Sequence, residues 1–136
     1  MTIEEKIVVS GKRKTSVAKA GIKGGNGKVL INKRPISSFP HLKQLELTEP
    51  LVIAEQVLGK LNFDIDVNVK SGGGASRIEA SRLAIARAII AFTKSSDLKK
   101  AYLEYDRHLL IADVRRKEAY KPGDSKARSK RQKSYR

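Results

Sequence analysis

The chain contains no cysteine, few aromatic residues and comparatively little acidic charge. The absence of cysteine excludes disulfides, cysteine-ligated zinc and thiol catalysis, and an intracellular protein is the simplest expectation. No stretch approaches the ~18 consecutive apolar residues of a membrane-spanning helix, so no membrane partner is expected. Only 14 residues are Asp or Glu against 29 Lys and Arg, which gives a formal net charge of +15. This imbalance favours a nucleic-acid partner.

The C-terminal segment 115–136 lacks Leu, Ile, Val, Met and Phe altogether. Ten of its 22 residues are Lys or Arg and two are acidic, which leaves a charge of +8. Such a peptide cannot bury enough apolar surface to offset its ordering entropy, so we expect a polyanion to order it. Fully extended, it would reach roughly 70 Å at ~3.3 Å per residue. The sequence therefore predicts a globular RNA-binding body over 1–114 and an extended basic tail over 115–136.

The spacing of apolar residues predicts the elements of the body. Strands are expected at 7–9, 15–22, 28–31 and 63–69, and helices at 42–61, 75–94 and 97–105. The order β-β-β-α-β-α predicts an α+β fold. We expect a two-layer sandwich with an antiparallel-rich sheet and helices packed on it, followed by the long basic tail.

Several local signals refine these elements. Ser10 to Lys14 is expected to form a polar turn, and Gly24 to Gly27 a tight hairpin between the second and third strands. Pro50 is expected to divide the first helix, with Thr48 capping its second half, and Asp97 to cap the last helix. The helix 75–94 is expected to bury one face in the core, formed by Ile78, Ser81, Ile85, Ala88, Ile89 and Phe92. Arg87 and Lys94 are expected on the opposite face.

The basic turn is the first candidate site. Lys12, Arg13 and Lys14 stand beside the hydroxyls of Thr15 and Ser16, which suits a clamp for phosphate groups. An ordinary solvated turn is the alternative, and the neighbouring +8 tail favours RNA. Lys19, in the following strand, is expected to join the same surface.

The glycine loop is the second candidate site. Gly72, Gly73 and Gly74 open a predicted helix, where free backbone N–H groups and the helix dipole favour anions. A dinucleotide fingerprint would require glycine in place of Arg77, so that class is excluded. We expect the loop to lie against an RNA backbone, with Arg77 and Arg82 on the first helical turns. A tight structural turn is compatible with this interpretation.

No arrangement of residues typical of catalysis stands out, and neither an enzymatic activity nor a cofactor or metal is expected. His41 and His108 are far apart without carboxylates at metal-ligand spacing, and Asp64 and Asp66 fit the polar face of a strand. Two alternatives remain open. A small kinase-like protein could bind ATP with a similar loop, although the chain is short for a substrate lobe. A nucleic-acid-compacting protein should show a dimer seam or a groove-reading helix; neither is evident, and no homo-oligomer is expected.

Three stretches together carry a resemblance that spans almost the whole chain. The first is 11–18, GKRKTSVA, and the second is Gly72–Gly74 with the helix end Ile85–Ala88. The third is the tail, in which the matching residues are Asp113, Arg115, Glu118, Lys121, Gly123, Lys126, Ala127, Arg128, Gln132, Ser134 and Arg136. These stretches resemble the family of the universal ninth protein of the small ribosomal subunit, and the ending 132–136 resembles its archaeal and eukaryotic branch. Arg77 stands where members often have Gln.

The resemblance implies a structural constituent of the small ribosomal subunit, located in cytoplasmic ribosomes. It implies an α/β sandwich body, bound to ribosomal RNA in the subunit head beside neighbouring ribosomal proteins. It also implies that the tail reaches the anticodon stem-loop of the P-site transfer RNA. The residues expected to bind ribosomal RNA are Lys12, Arg13, Lys14, Lys19, Gly72, Gly73, Gly74, Arg77, Arg82, Arg115, Arg116, Lys117, Lys121, Lys126, Arg128, Lys130 and Arg131. Those expected to bind transfer RNA are Lys133, Ser134, Tyr135 and Arg136.

Overall fold

The structure, a computed structural model, describes residues 5–123 together with 127 and 128. In this part of the chain the strands are β1 Ile7–Arg13, β2 Ser16–Gly24, β3 Val29–Ile31, β4 Arg34–Pro35 and β5 Phe63–Lys70. The helices are α1 His41–Leu58, α2 Gly74–Thr93 and α3 Ser96–Tyr105, with short 3₁₀ turns at Ile36–Ser38 and Arg107–Leu109.

The strands form one mixed sheet in the order β1-β2-β5-β3-β4. The pairs β1–β2, β2–β5 and β3–β4 are antiparallel, and β3 runs parallel to β5. Helix α2 lies across β1, β2 and β5, α1 packs beside α2, and α3 packs against α1. The predicted α+β class with two layers and a mainly antiparallel sheet is therefore confirmed.

Alternation along the strands separates a helix-covered face from an open face. On β2, Ala18, Ala20 and Ile22 are buried beneath the helices, while Val17 and Lys19 are exposed on the opposite side. Strand β5 repeats this pattern, since its apolar side chains point inwards and its polar ones outwards. The sheet consequently presents one polar face that no helix of the described chain covers.

Helix α2 approaches the sheet closely because small residues line the contact. A Cβ atom at Gly11 of β1 would lie 2.6 Å from the carbonyl oxygen of Ala80 and 2.7 Å from the backbone nitrogen of Ala84. The residues of the expected core face of α2 are buried, except that Phe92 is only partly so, but burial extends beyond that face to Ala80, Leu83, Ala84 and Ala86. The expectation for Arg87 is wrong: its guanidinium donates to the carbonyls of Leu110, at 2.8 Å, and Ser10, at 3.0 Å.

Pro50 does not divide α1, which runs unbroken as His41–Leu58. Proline removes the helical hydrogen bond to the carbonyl of Glu46, and burial of Pro50 in the core offsets this loss. The carbonyl of Pro50 also accepts the hydroxyl of Tyr102 at 2.7 Å. Thr48 is therefore not a cap; its hydroxyl donates to the carbonyl of Leu45 at 3.1 Å. The cap of α3 is Ser95, one position before the helix and two before Asp97.

The two expected turns also differ from the structure. Residues Ser10 to Arg13 continue β1, so only Lys14 and Thr15 turn the chain into β2. The loop 24–27 does not close a hairpin, because β5 lies between β2 and β3. Its backbone is held by Asp64, which accepts from the N–H groups of Lys28 and Asn26. These bonds, that of Lys28 first, lower the pKa of the Asp64 carboxyl.

None of the helices in residues 5–123 is long and apolar enough to cross a membrane.

Candidate nucleic-acid interface

The basic turn places its cations on opposite faces of the sheet. Lys12 is exposed on the open face and Lys14 is exposed in the turn, where its φ of 53° lies in the left-handed region. Arg13 points to the helix-covered side, because successive strand residues alternate. The three neighbouring cations thus have different surroundings, and two of them are available to solvent.

Arg13 ties the start of the tail to the body. Its Nε donates to a carboxylate oxygen of Glu79 at 2.5 Å, and its Nη2 lies 3.6 Å from the carboxylate of Asp113. Asp113 also accepts from the guanidinium of Arg115, with Nη2 at 2.6 Å. The hydrogen bonds from Arg115 lower the pKa of the Asp113 carboxyl, with a further contribution from the charge of Arg13. Segment 113–115 is therefore fixed beside the basic turn.

The glycine loop lies at the same end of the sheet as the basic turn. The Ser16 hydroxyl donates to the carbonyl of Ser71 at 2.9 Å and lies 3.0 Å from the hydroxyl of Ser76. Gly72 has a φ of 73°, and a Cβ there would lie 2.0 Å from the Ser16 oxygen. Helix α2 begins next at Gly74, and no side chain caps its first turn. Its first N–H groups can therefore meet an anion.

Arg77 and Arg82 both have partners within the protein. Arg77 is exposed, and its Nε donates back to the carbonyl of Ser71 at 3.0 Å, which braces the glycine loop. Arg82 is half-buried between the carboxylates of Glu49 and Asp106, with Nη1 3.3 Å from Asp106. RNA contacts by these two arginines stay predictions.

Lysines from three strands lie on the open face of the sheet at this end, with Val17 and Asn68 among them. Strand register places Lys12 opposite Val17 and Val17 opposite Lys70. Lys19 follows in the next row, beside Asn68 of β5. Val17, Lys19, Asn68 and Lys70 line a surface depression of about 530 Å³. We name Lys12, Lys14, Lys19 and Lys70 the outer lysine face.

Lys70 and Asn68 were not predicted as site residues. The strand predicted at 63–69 ended just before Lys70, although its period of two extends to that position and assigns both side chains to the open face. The acidic residues of that face, Asp64 and Asp66, lie near the N-terminal end of β5, away from the turn. The end of the open face nearest the turn therefore carries lysines, Ser10, Asn68 and Val17 without a carboxylate.

The described part of the tail is exposed, apart from half-buried Ala127, and has mainly local contacts. Arg116 donates to the carbonyl of Asp113 at 2.8 Å, and Lys117 lies 4.8 Å from the centre of the Tyr120 ring. Glu118 pairs with Arg128, at 2.9 Å, and more distantly with Lys121, at 3.9 Å. The remaining predicted tail residues lie outside the described residues: Lys126, Lys130, Arg131, Lys133, Ser134, Tyr135 and Arg136.

The arrangement suits phosphate binding by charge and hydrogen bonding. Lysine ammonium groups act as point charges towards phosphate oxygens, and the uncapped start of α2 adds backbone donors. Across residues 5–123 and 127–128, no three His, Asp or Glu residues are grouped so that they could hold a metal ion.

Comparison with known proteins agrees with this chemistry. The family described as ribosomal protein S9/S16 matches residues 11–136. Small ribosomal subunit protein uS9 of Methanococcus maripaludis (strain S2) is 46% identical over 129 residues, which cover 93% of this chain and 95% of the relative. The uS9 protein of Pyrobaculum aerophilum is 46% identical over 133 residues, which cover 96% of this chain and 92% of the relative. The chain therefore belongs to the ribosomal protein S9/S16 family, as an archaeal-type member, and the resemblance drawn from its motifs is confirmed.

Proposed function

We propose that the protein is a structural constituent of the small ribosomal subunit that binds ribosomal RNA in the subunit head. Its family is a structural rather than an enzymatic kind of protein, and ribosomes are cytoplasmic. Within the subunit, its partners are ribosomal RNA and neighbouring ribosomal proteins. The body binds RNA with the end of the sheet that carries the basic turn, and the tail continues along the RNA.

The observation that carries this proposal is the meeting of four features at one end of the body. The hydrogen bond from Ser16 to Ser71 joins the basic turn to the glycine loop. The ion pair between Arg13 and Asp113 brings the tail to the same place. The outer lysine face extends from the turn across three strands. An RNA backbone lying at this end would meet all four, and their charges would add.

Lysines and arginines of the body have different roles in this proposal. Lys12, Lys14 and Lys19 are exposed and supply mobile charges to phosphates. Arg13 and Arg82 are held by carboxylates, and they position the surface while contributing to its field. In the tail, charged contacts with phosphates replace the apolar core that the segment lacks.

The tail tip, residues 133–136, is proposed to act on the P-site transfer RNA at its anticodon stem-loop. Two considerations support this. The residues match the family pattern up to Arg136, and a tail of this length can leave the docking surface of the body. The guanidinium of Arg136 is suited to a phosphate contact, and Tyr135 to stacking on a base or sugar.

A deletion of residues 134–136 tests the tail-tip proposal. It removes one charge-assisted contact, on the order of 1.5–3 kcal/mol. We expect small subunits to assemble at near-normal yield and to bind P-site transfer RNA more weakly. Purified subunits should be compared with subunits that carry the full-length protein. Failure of the shortened protein to enter subunits, with transfer-RNA affinity intact in those that form, would make the tip an assembly element.

Sedimentation tests the ribosomal role itself. The protein should co-sediment with small subunits at high salt, because buried and multiple phosphate contacts resist screening better than single exposed ones. Release at moderate salt into the free protein fraction would contradict a structural role. Binding of ATP by the isolated protein would instead support the kinase-like alternative.

A further inference from the structure

Helix α1 differs in chemistry from the rest of this cationic protein. Of the large apolar side chains that are exposed in the described chain, four lie on this one helix: Leu42, Leu45, Val52 and Val57. Leu42 is 74% exposed and Val52 is 49% exposed. The same helix has three glutamates and one lysine, in a chain whose net charge is +15.

Helical spacing places most of these apolar and acidic residues on the solvent-exposed side of α1. Positions 42, 45, 49 and 52 follow each other at intervals of three and four, so they form a stripe along the helix. Glu49 lies in this stripe and pairs with Arg82. Glu46 and Glu55 are exposed, and within the described residues no cation pairs with their side chains. We name Leu42, Leu45, Glu46, Val52, Glu55 and Val57 the acidic-apolar face.

We propose that the acidic-apolar face docks a basic segment of a neighbouring ribosomal protein that carries aliphatic side chains. Aliphatic residues of the partner would cover Leu45 and Val52, and its cations would approach Glu46 and Glu55. This inference rests on the proposed function, because the partner is reached within the assembled subunit. It assigns to the body a protein-binding side on α1, which adjoins the outer lysine face where Glu46 and Lys12 line one depression.

Other occupants fit the face less well. An RNA backbone would be repelled by the glutamates and would gain nothing from four aliphatic side chains. The tail of this chain could satisfy the glutamates, but it has no Leu, Ile, Val, Met or Phe after Val114 to cover the leucines. A second copy would set like charges together on the face and bring two chains of +15 into contact.

Site-specific crosslinking in assembled subunits tests this docking. A photoactivatable diazirine amino acid is placed at Val52. A matched probe is placed at Val17, a residue that is 38% exposed on the open face of the sheet. We expect the probe at Val52 to link to another ribosomal protein, in a peptide with net positive charge and aliphatic residues. We expect the probe at Val17 to link to RNA.

The outcomes separate this inference from the proposed function. RNA links at Val17 with no protein link at Val52 would overturn the docking and leave the ribosomal role standing. Links from Val52 to RNA, to the tail or to a second copy would overturn it too. Absence of both labelled proteins from small subunits would instead contradict the proposed function, and the docking with it.

A substitution gives a second measurement that does not depend on crosslinking. Val52 is exposed, so Val52→Lys should leave the melting temperature close to that of the unchanged protein. The new cation would remove apolar surface and repel a basic partner, so in competition with the unchanged protein for entry into subunits the variant should lose by roughly tenfold. Val52→Leu is the matched control, because it keeps the apolar surface, and it should compete equally. Equal competition by Val52→Lys would overturn the proposal.

Discussion

Replacement of three lysines on the outer lysine face should weaken RNA binding and make the RNA affinity less dependent on salt concentration. Lys12, Lys19 and Lys70 occupy β1, β2 and β5 on the side of the sheet that no described helix covers. If each neutralises one phosphate, changing all three to Gln removes three contacts. At ~0.7 per contact for single-stranded RNA, the slope of log affinity against log salt should become shallower by about 2.

The loss of RNA affinity at a fixed salt concentration follows from this change in slope. At 0.1 M salt, three contacts correspond to about two decades of binding constant, or ~2.8 kcal/mol. The matched control changes Lys60, Lys99 and Lys100 to Gln. These lysines are also exposed, but they follow α1 or lie on α3, away from the sheet surface, and the net charge falls equally.

Fluorescence titration of a labelled small-subunit RNA fragment at several salt concentrations provides the measurement. The triple variant on the outer lysine face should lose both slope and affinity, and the control should lose much less. Both proteins must keep the circular dichroism spectrum of the unchanged chain. Equal losses in the two triple variants would refute a localised surface, because net charge alone would then explain binding.

Three further predictions concern the supports of the interface. Gly72→Ala should cost about 1–3 kcal/mol of unfolding free energy in a denaturant titration, because φ is positive and a Cβ would clash at 2.0 Å with a serine hydroxyl; Gly73→Ala, with no atom within 4 Å, should be nearly neutral. Tyr102→Phe should lower the melting temperature, at a cost of about 0.5–1.5 kcal/mol of unfolding free energy, because the hydrogen bond from its hydroxyl to the carbonyl of Pro50 is lost, whereas exposed Tyr105→Phe should not. The pKa of Asp113 is lowered in the folded protein, so its ionised carboxylate contributes fully to stability above the unfolded pKa near 3.8. This contribution is lost as the pH falls through the folded pKa, and Asp113→Asn should remove that acid dependence from a pH series of thermal melts.

Alternation along the chain predicts the faces of the elements well. The period of two in residues 63–69 and in β2 identifies which side chains are buried, and the helical spacing of α2 identifies part of its buried surface but not the alanines that lie against β1. These patterns are reliable because burial of one face is a local property of each element. They also predict where the exposed cations of the sheet lie, with Lys70 as the natural extension.

Strand pairing and helix continuity could not be predicted in the same way. The residues of loop 24–27 suit a tight hairpin, but β3 gains more by pairing with β5, and Asp64 satisfies the N–H groups of the loop from a position 38 residues away from Asn26. The continuity of α1 through Pro50 likewise reflects tertiary packing, because Pro50 is buried and its carbonyl accepts the hydroxyl of distant Tyr102. Such long-range partners leave no periodic signal near the residues that they stabilise.

The sequence is least informative about which cations of the site are arginines held by partners within the protein. Counting cations in sequence treats Lys12 and Arg13 alike, but the structure gives them different chemistry. A guanidinium has five donors in a planar fork, so it can satisfy fixed carboxylates and carbonyls inside the protein. Arg13, Arg82 and Arg87 each use this property to hold a neighbouring segment.

This use of arginine explains why the tail leaves the body where it does. Arg87 holds the carbonyl of Leu110, and Arg13 holds the carboxylate of Asp113, so two cations anchor the chain just before its basic segment. Both anchors lie beside β1, whose other side carries Lys12 of the outer lysine face. With its root at the basic turn, the tail extends a positive surface that already exists, and one RNA path can follow both.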